Sequence, residues 1–219
     1  MKIVIDGIIG AGKTTQLDLL EQKGLTVKRE PIHEWPLELF YKDMSRWALT
    51  LQLAIFQTLQ PIDSLDPVVY ERTILASRYV FWELLKQQDK VKAIEDSIHE
   101  RAFEKYLWHP DVYIYLAANP QTAFERIQAR KQVGDEGVTF EYLKDIHGLY
   151  QKLVSKMPCY VHIVKTDGRS AEEVHEEILR IIQGYGVHVN HSGRSKMQKA
   201  RPYRRQVLCT PFSDMCHMS

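Results

Sequence analysis

The chain has 219 residues, of which 44% are apolar and 26% charged, close to globular averages, which excludes a chain disordered throughout. Its formal net charge of +1 averages two unlike parts: residues 186–219 hold six Lys/Arg and one acid, a net +5, while the 185 residues before them net −4. Three cysteines, Cys159, Cys209 and Cys216, lack a framework spacing, which argues against a disulfide scaffold and for a reducing compartment. No run of about 18 apolar residues occurs, so no membrane span is expected.

In chain order, Ile3-Val4-Ile5 closed by Asp6-Gly7 reads as a buried strand. Because strand sequence starts at Ile3 and a glycine loop follows at Gly7, there is no room for a signal or transit peptide, and a cytoplasmic location is expected. Lys13 to Gln22, stopped by Gly24, reads as a helix, and Thr26 to Arg29 as a second strand. Pro36 to Asp43 reads as a short helix. Ser45 to Leu59 reads as a longer one, with Trp47, Leu51, Ile55 and Leu59 on one face. Strand Pro67–Tyr70, helix Thr73–Lys86, a helical stretch Val91–Trp108 and strand Asp111–Leu116 follow. Then come helix Pro120–Lys131, a polar loop over 132–137, helix Phe140–Ser155, strand Tyr160–Val164 and helix Ala171–Gln183. Short apolar strands alternating with helices predict an α/β fold, a five-stranded parallel sheet covered on both faces. Periodicity stops after Gly184, dividing a domain over 1–185 from a basic, mostly unstructured tail over 186–219.

Gly7-Ile8-Ile9-Gly10-Ala11-Gly12-Lys13-Thr14 matches the phosphate-loop pattern in full, with a strand before it and a helix after it. Glycines let backbone N–H groups close around phosphate oxygens, and the helix N-terminus favours the anion. Lys13 is expected to reach the β- and γ-phosphates of ATP, the Thr14 hydroxyl to bind Mg²⁺, and Thr15 to complete the loop. A random chain of this length would match about once in a hundred, and the flanking elements lower that further.

Three segments address the acceptor. Glu30-Pro31-Ile32-His33-Glu34-Trp35 follows the second strand, where ligands sit in such sheets. Glu30 there can accept the proton of an attacking hydroxyl and Trp35 can face a base; the bland alternative is a solvated Glu and a core Trp. Gln52 lies on a helix with buried-looking neighbours and offers a donor and an acceptor to a pyrimidine edge, or else faces solvent. Glu71-Arg72 follows the third strand, with Glu71 suited to Mg²⁺ and Arg72 to the 5′-oxygen or the transferring phosphate, unless the two are a helix-start ion pair.

Together these segments resemble the deoxyribonucleoside kinases of the thymidine kinase 2, deoxycytidine kinase and insect deoxynucleoside kinase type. The features that carry the resemblance are Glu30-Pro31 with Trp35, Tyr41-Lys42-Asp43, Trp47, Gln52 and Glu71-Arg72-Thr73. It continues through Pro110-Asp111, Glu125-Arg126-Ile127 to Arg130, and Phe140-Glu141-Tyr142-Leu143 to His147, covering about residues 1–183. The resemblance implies a phosphate-loop kinase fold, ATP and Mg²⁺ as cofactors, and a homodimer through the helices over 45–59 and 73–86. It implies that Glu30 is the general base on a 5′-hydroxyl and that Arg72 lies near that oxygen. Tyr41 and an acid from the lid loop (about 130–137) would bond the sugar 3′-hydroxyl; Asp135 falls at that position, with Glu136 as fallback. Trp35 and Phe81 resemble base-lining aromatics, and Arg126 and Arg130 serve the phosphates of ATP. Thr73 stands in place of a serine, and Gln132 in place of a third lid arginine, beside Lys131.

Members favouring cytosine and purines carry an Arg–Asp pair in the base pocket. The corresponding positions here are Leu59 and Ser77, with Ile55 one turn before Leu59. This apolar pocket predicts thymidine as preferred substrate, with deoxyuridine and then deoxycytidine accepted. Two rivals are a thymidylate kinase, whose monophosphate acceptor needs an early arginine such as Arg29, and a nucleic-acid-binding module using the basic tail. Glu30 beside Arg29 suits a neutral hydroxyl better, and only Tyr203 and Phe212 interleave the tail's scattered charges, which argues against nucleic acid.

Overall fold

The computed structural model describes residues 1–130, 137–188 and 196–197. Strand β1 (Lys2–Asp6) runs through the glycine loop into α1 (Lys13–Gln22), and β2 (Thr26–Lys28) leads to a 3₁₀ turn at Ile32–Glu34. Helices α2 (Leu37–Lys42) and α3 (Met44–Thr58) precede β3 (Val68–Glu71). The next helical stretch has three parts: α4 (Ile74–Ala76), a π-helical segment (Ser77–Trp82) and α5 (Glu83–Gln87). After it come α6 (Ala93–Tyr106), β4 (Val112–Ala117), α7 (Pro120–Arg130), α8 (Phe140–Ser155), β5 (Tyr160–Lys165) and α9 (Ala171–Gly184).

The five strands form one sheet in the order β2-β3-β1-β4-β5, parallel throughout. Ile3, Val4 and Ile5 of β1 are consecutive and all fully buried, so both faces of the sheet are covered. The register pairs Ile5 with Glu71 and Lys28 with Tyr70, which brings the carboxyl ends of β1, β2 and β3 side by side. From β1 the chain crosses to β2 and β3 on one side and later to β4 on the other. That reversal opens a crevice above the end of β1.

Local signals set the helix starts. Asp43 caps α3 by accepting the Arg46 N–H at 3.0 Å, and Thr139 caps α8 by accepting the Tyr142 N–H at 3.1 Å. Ser170 and Glu173 form a reciprocal capping box at α9. The strands expected from sequence all occur, with ends moved by a residue or two. Two features depart from expectation: the 3₁₀ turn after β2, and the π-helical segment inside what reads as one helix over 73–86. An extra residue per turn leaves the 3.6-residue apolar pattern of the flanks intact, which hides it from periodicity.

Trp82 and Trp108 are buried. His99 of α6 is also fully buried, stacked on Trp82 at 3.9 Å between ring centroids and tilted against Phe56 at 4.9 Å. Neither ring nitrogen of His99 has a hydrogen-bond partner among the described residues. Beyond α9, Val187–His188 (β6) pairs antiparallel with Lys196–Met197 (β7), and Val187 is buried in the core. The rest of the tail, with Cys209 and Cys216, lies outside the described residues. No helix among the described residues is long and apolar enough to cross a membrane.

Candidate active site

The glycine loop sits at the carboxyl end of β1. Gly10 has φ +82°, and a Cβ there would lie 2.6 Å from the Ala123 carbonyl oxygen of α7, so only glycine lets the loop pack this closely. Gly12 caps α1 with φ +95°, another conformation that L side chains rarely adopt. Lys13 is buried and curls over the loop, donating from Nζ to the carbonyls of Gly7 at 3.1 Å and Ile8 at 3.2 Å. Burial, reinforced by the Arg72 charge, lowers its pKa to about 8. Ala11 is buried behind the loop, while Thr14 and Thr15 are exposed on the first turn of α1. Arg126 of α7 braces the loop: it donates to the Gly10 carbonyl at 3.4 Å, to Thr166 Oγ1 at 3.3 Å and to the Thr166 carbonyl at 2.9 Å. Arg130 ends α7 and is exposed.

Beside the loop, the ends of β2 and β3 deliver a largely buried ion pair. Arg72 Nη1 donates to both carboxylate oxygens of Glu30, at 2.9 and 3.0 Å. Glu71 is buried, and its Oε2 accepts the Glu30 N–H at 3.4 Å. Arg72 adopts φ +60°, an uncommon conformation for a side-chain-bearing residue, just where the chain leaves β3. Its guanidinium lies over Phe81 at 4.8 Å from the ring centroid. Burial pushes the Glu30 carboxyl above the usual range, against the opposing pull of Arg72. A largely desolvated carboxylate with raised proton affinity can accept a proton from a hydroxyl, and the cation beside it can stabilise developing negative charge.

The residues expected to meet a base lie on α3 and the segments beside it. Trp35 is half-buried and anchored to α3 by its Nε1, which donates to Thr58 Oγ1 at 2.9 Å. Gln52 is buried, and its Oε1 accepts a hydrogen bond from the buried Ser77 hydroxyl at the start of the π-helical segment. Ile55 is buried one turn along α3 from Gln52. Leu59, at the end of that helix, is part of the core, and its carbonyl accepts the Trp108 Nε1–H at 2.9 Å. Tyr41 on α2 is 47% exposed. Tyr142 of α8 lies near enough to feel both Tyr41 and Arg72, and burial drives its hydroxyl above the usual phenol range.

The structure therefore brings together Lys13, Glu30, Glu71 and Arg72, and separately Gln52 with Ser77. Asp135, Glu136, Lys131 and Gln132 lie outside the described residues. Arg29 turns away from the site: its Nη2 meets Asp18 at 2.5 Å and Glu21 at 3.0 Å on α1. It is therefore not placed to grip an acceptor phosphate. Two groups that the sequence reading passed over sit at the centre. Asp6, the last residue of β1, accepts from Tyr113 of β4 and Tyr150 of α8, each at 2.7 Å. Tyr150 also accepts from Arg72 Nε at 3.1 Å. In sequence, Tyr150 is one more residue on the apolar face of α8, and nothing local marks its hydroxyl as bonded. The Thr14 hydroxyl and Glu71 carboxylate offer the hard oxygen donors that Mg²⁺ takes.

A family model for deoxynucleoside kinase matches residues 3–185. The chain is 32% identical over 170 residues to the mitochondrial thymidine kinase 2 of Macaca fascicularis, covering 70% of this chain and 64% of that enzyme. It is 28% identical over 174 residues to a deoxyadenosine kinase of Dictyostelium discoideum, covering 74% and 70%. Among solved structures, a deoxyadenosine kinase from M. mycoides superposes with a TM-score of 0.75 at 23% identity, covering 84% of this chain and 98% of that one.

Proposed function

The chain belongs to the deoxynucleoside kinase family, and on that premise we propose that it transfers the γ-phosphoryl group of ATP to the 5′-hydroxyl of a pyrimidine deoxynucleoside, thymidine first. The observation that carries this reading is the bidentate pair of the largely buried Glu30 with the buried Arg72 beside the Lys13 loop. In the proposed step Glu30 takes the 5′-hydroxyl proton, the freed oxygen bonds the γ-phosphorus, and the bond to the bridging oxygen breaks to leave ADP. Lys13 shifts from the Gly7 and Ile8 carbonyls to the phosphates, and Arg72 meets the charge on the transferring group. Mg²⁺ held by Thr14 and Glu71 would neutralise phosphate charge. Arg130 adds a second cation at the end of α7, while Arg126 holds the loop.

For the base, the buried Gln52 amide, held by the Ser77 hydroxyl, would read the pyrimidine edge, with Trp35, Ile55 and Phe81 as the apolar residues offered to the ring. With leucine at 59 and serine at 77, no charged pair is available there to hold a purine. This supports thymidine over purine nucleosides, with deoxyuridine and deoxycytidine accepted; relatives named for thymidine and for deoxyadenosine leave the base open at the level of the family. Tyr41, with Asp135 of the lid loop, would hold the 3′-hydroxyl. A cytoplasmic homodimer joined through α3 and residues 74–87 completes the reading.

The test is steady-state kcat/KM for the four deoxynucleosides with ATP and Mg²⁺, alongside thymidine monophosphate as acceptor. Thymidine is expected to rank first. A purine nucleoside ranking first would refute the base assignment, and phosphorylation of the monophosphate alone would refute the acceptor assignment.

A further inference from the structure

We propose that Asp6 and Tyr150 are positioning residues for Arg72 and, through it, for Glu30, a role that rests on the kinase reading above. The guanidinium has five N–H donors in a rigid fork, and the structure accounts for its orientation edge by edge. Its Nε–H meets Tyr150 Oη at 3.1 Å and Asp6 Oδ1 at 3.3 Å. Its Nη1 edge is taken by both oxygens of Glu30. One face is covered by Phe81. Only Nη2 is weakly held, at 3.5 Å from the Gly7 carbonyl, so the edge left for a ligand points at the phosphate loop.

Asp6 is fully buried, and a carboxylate in that position is tolerated only when its oxygens are well supplied with donors. They are: Oδ1 accepts from Gly7 N–H at 2.8 Å and from Tyr150, and Oδ2 accepts from Tyr113. Burial pushes the hydroxyls of Tyr113 and Tyr150 well above the usual phenol range, so both remain donors. With Oδ1 and Oδ2 engaged in this way, the function of Asp6 is directional. Tyr150 is the bridge, giving its proton to Asp6 and receiving one from Arg72 Nε. The strained φ of Arg72 is held by surroundings that over-determine it, the condition under which such strain persists at working sites.

The Arg72 guanidinium, carried by the residue after β3, is thus met by the end of β1 and start of the loop, by Glu30 after β2, by Phe81 of the π-helical segment and by Tyr150 of α8, while Tyr113 of β4 supports it through Asp6. If Tyr150 acts through Arg72, removing its hydroxyl lets the fork tilt away from Glu30 and from the transferring phosphate. Binding of either substrate need not change.

The experiment compares wild type, Tyr150→Phe, Asp6→Asn, Arg72→Lys and the double variant Arg72→Lys/Tyr150→Phe by steady-state kinetics with thymidine and ATP. Circular dichroism melting of each variant reports folding. Tyr150→Phe is expected to lower kcat about 10- to 100-fold, while KM for thymidine stays within about threefold. In the Arg72→Lys background the same change is expected to alter kcat less than about twofold, because the group it positions is already gone. Asp6→Asn removes the charge at a fully buried site; should it fail to fold, Tyr150→Phe alone decides. Wild-type kcat in Tyr150→Phe, or an equal loss in both backgrounds, overturns the proposal. Wild-type protein inactive on all four deoxynucleosides overturns the kinase reading, and this proposal with it.

Discussion

His99 makes a quantitative prediction about stability. Its ring is fully buried against Trp82 and Phe56, with no partner for either nitrogen among the described residues. Burial, helped by the Arg78 charge, lowers its pKa from 6.5 to about 3. Below 6.5 the unfolded chain takes up a proton that the folded chain refuses until about pH 3, so this contribution to stability is complete above 6.5 and lost as pH falls. Proton linkage with those two values gives a loss of about 2–3 kcal/mol between roughly pH 7.5 and pH 4.5. For a domain of this size that lowers Tm by about 5–10 °C. Burial lowers His175, His162, His147 and His109 too, so wild type should lose more than His99 alone accounts for. His99→Phe keeps a flat ring against Trp82 and removes both nitrogens. Urea unfolding of wild type and variant across this pH range isolates the difference. The variant should be at least as stable at neutral pH and should retain about 2–3 kcal/mol more of its stability at acid pH. Equal pH dependence in the two proteins would refute the reasoning.

Three other perturbations probe the site. Glu30→Gln removes the proposed base while keeping its shape, and kcat should fall about 10²- to 10⁴-fold with KM for thymidine little changed, measured at saturating ATP. Ser77→Ala takes away the hydroxyl that holds the Gln52 amide; KM for thymidine should rise about 5- to 30-fold, the cost of one buried hydrogen bond, with a smaller effect on KM for ATP. Gly10→Ala puts a methyl group against the Ala123 carbonyl at a positive φ; KM for ATP should rise at least about tenfold and stability should drop by about 1–3 kcal/mol, read by nucleotide titration and urea unfolding.

The phosphate loop was legible because its chemistry is local: eight consecutive residues carry the turn, the lysine and the helix start, and each is readable where it stands. The strands were legible for the same reason, since a buried parallel strand is a short apolar run. The pairing of Glu30 with Arg72 could be anticipated only as two groups at strand ends, and it took the register of β1, β2 and β3 to bring them within 3.0 Å of each other. The Gln52–Ser77 bond depends on the π-helical segment that presents Ser77 to α3, and π-helical turns leave no mark in hydrophobic period.

By itself, then, the sequence determined the class of fold, the phosphate-binding loop and the residue types available to an acceptor. Only the tertiary structure decided which of them meet. Residues 6, 30, 72 and 150 share one buried network although the chain scatters them over two thirds of its length. A parallel sheet gathers the carboxyl ends of its strands at one edge, and a side chain such as Tyr150 gains its partners only when that edge closes over it.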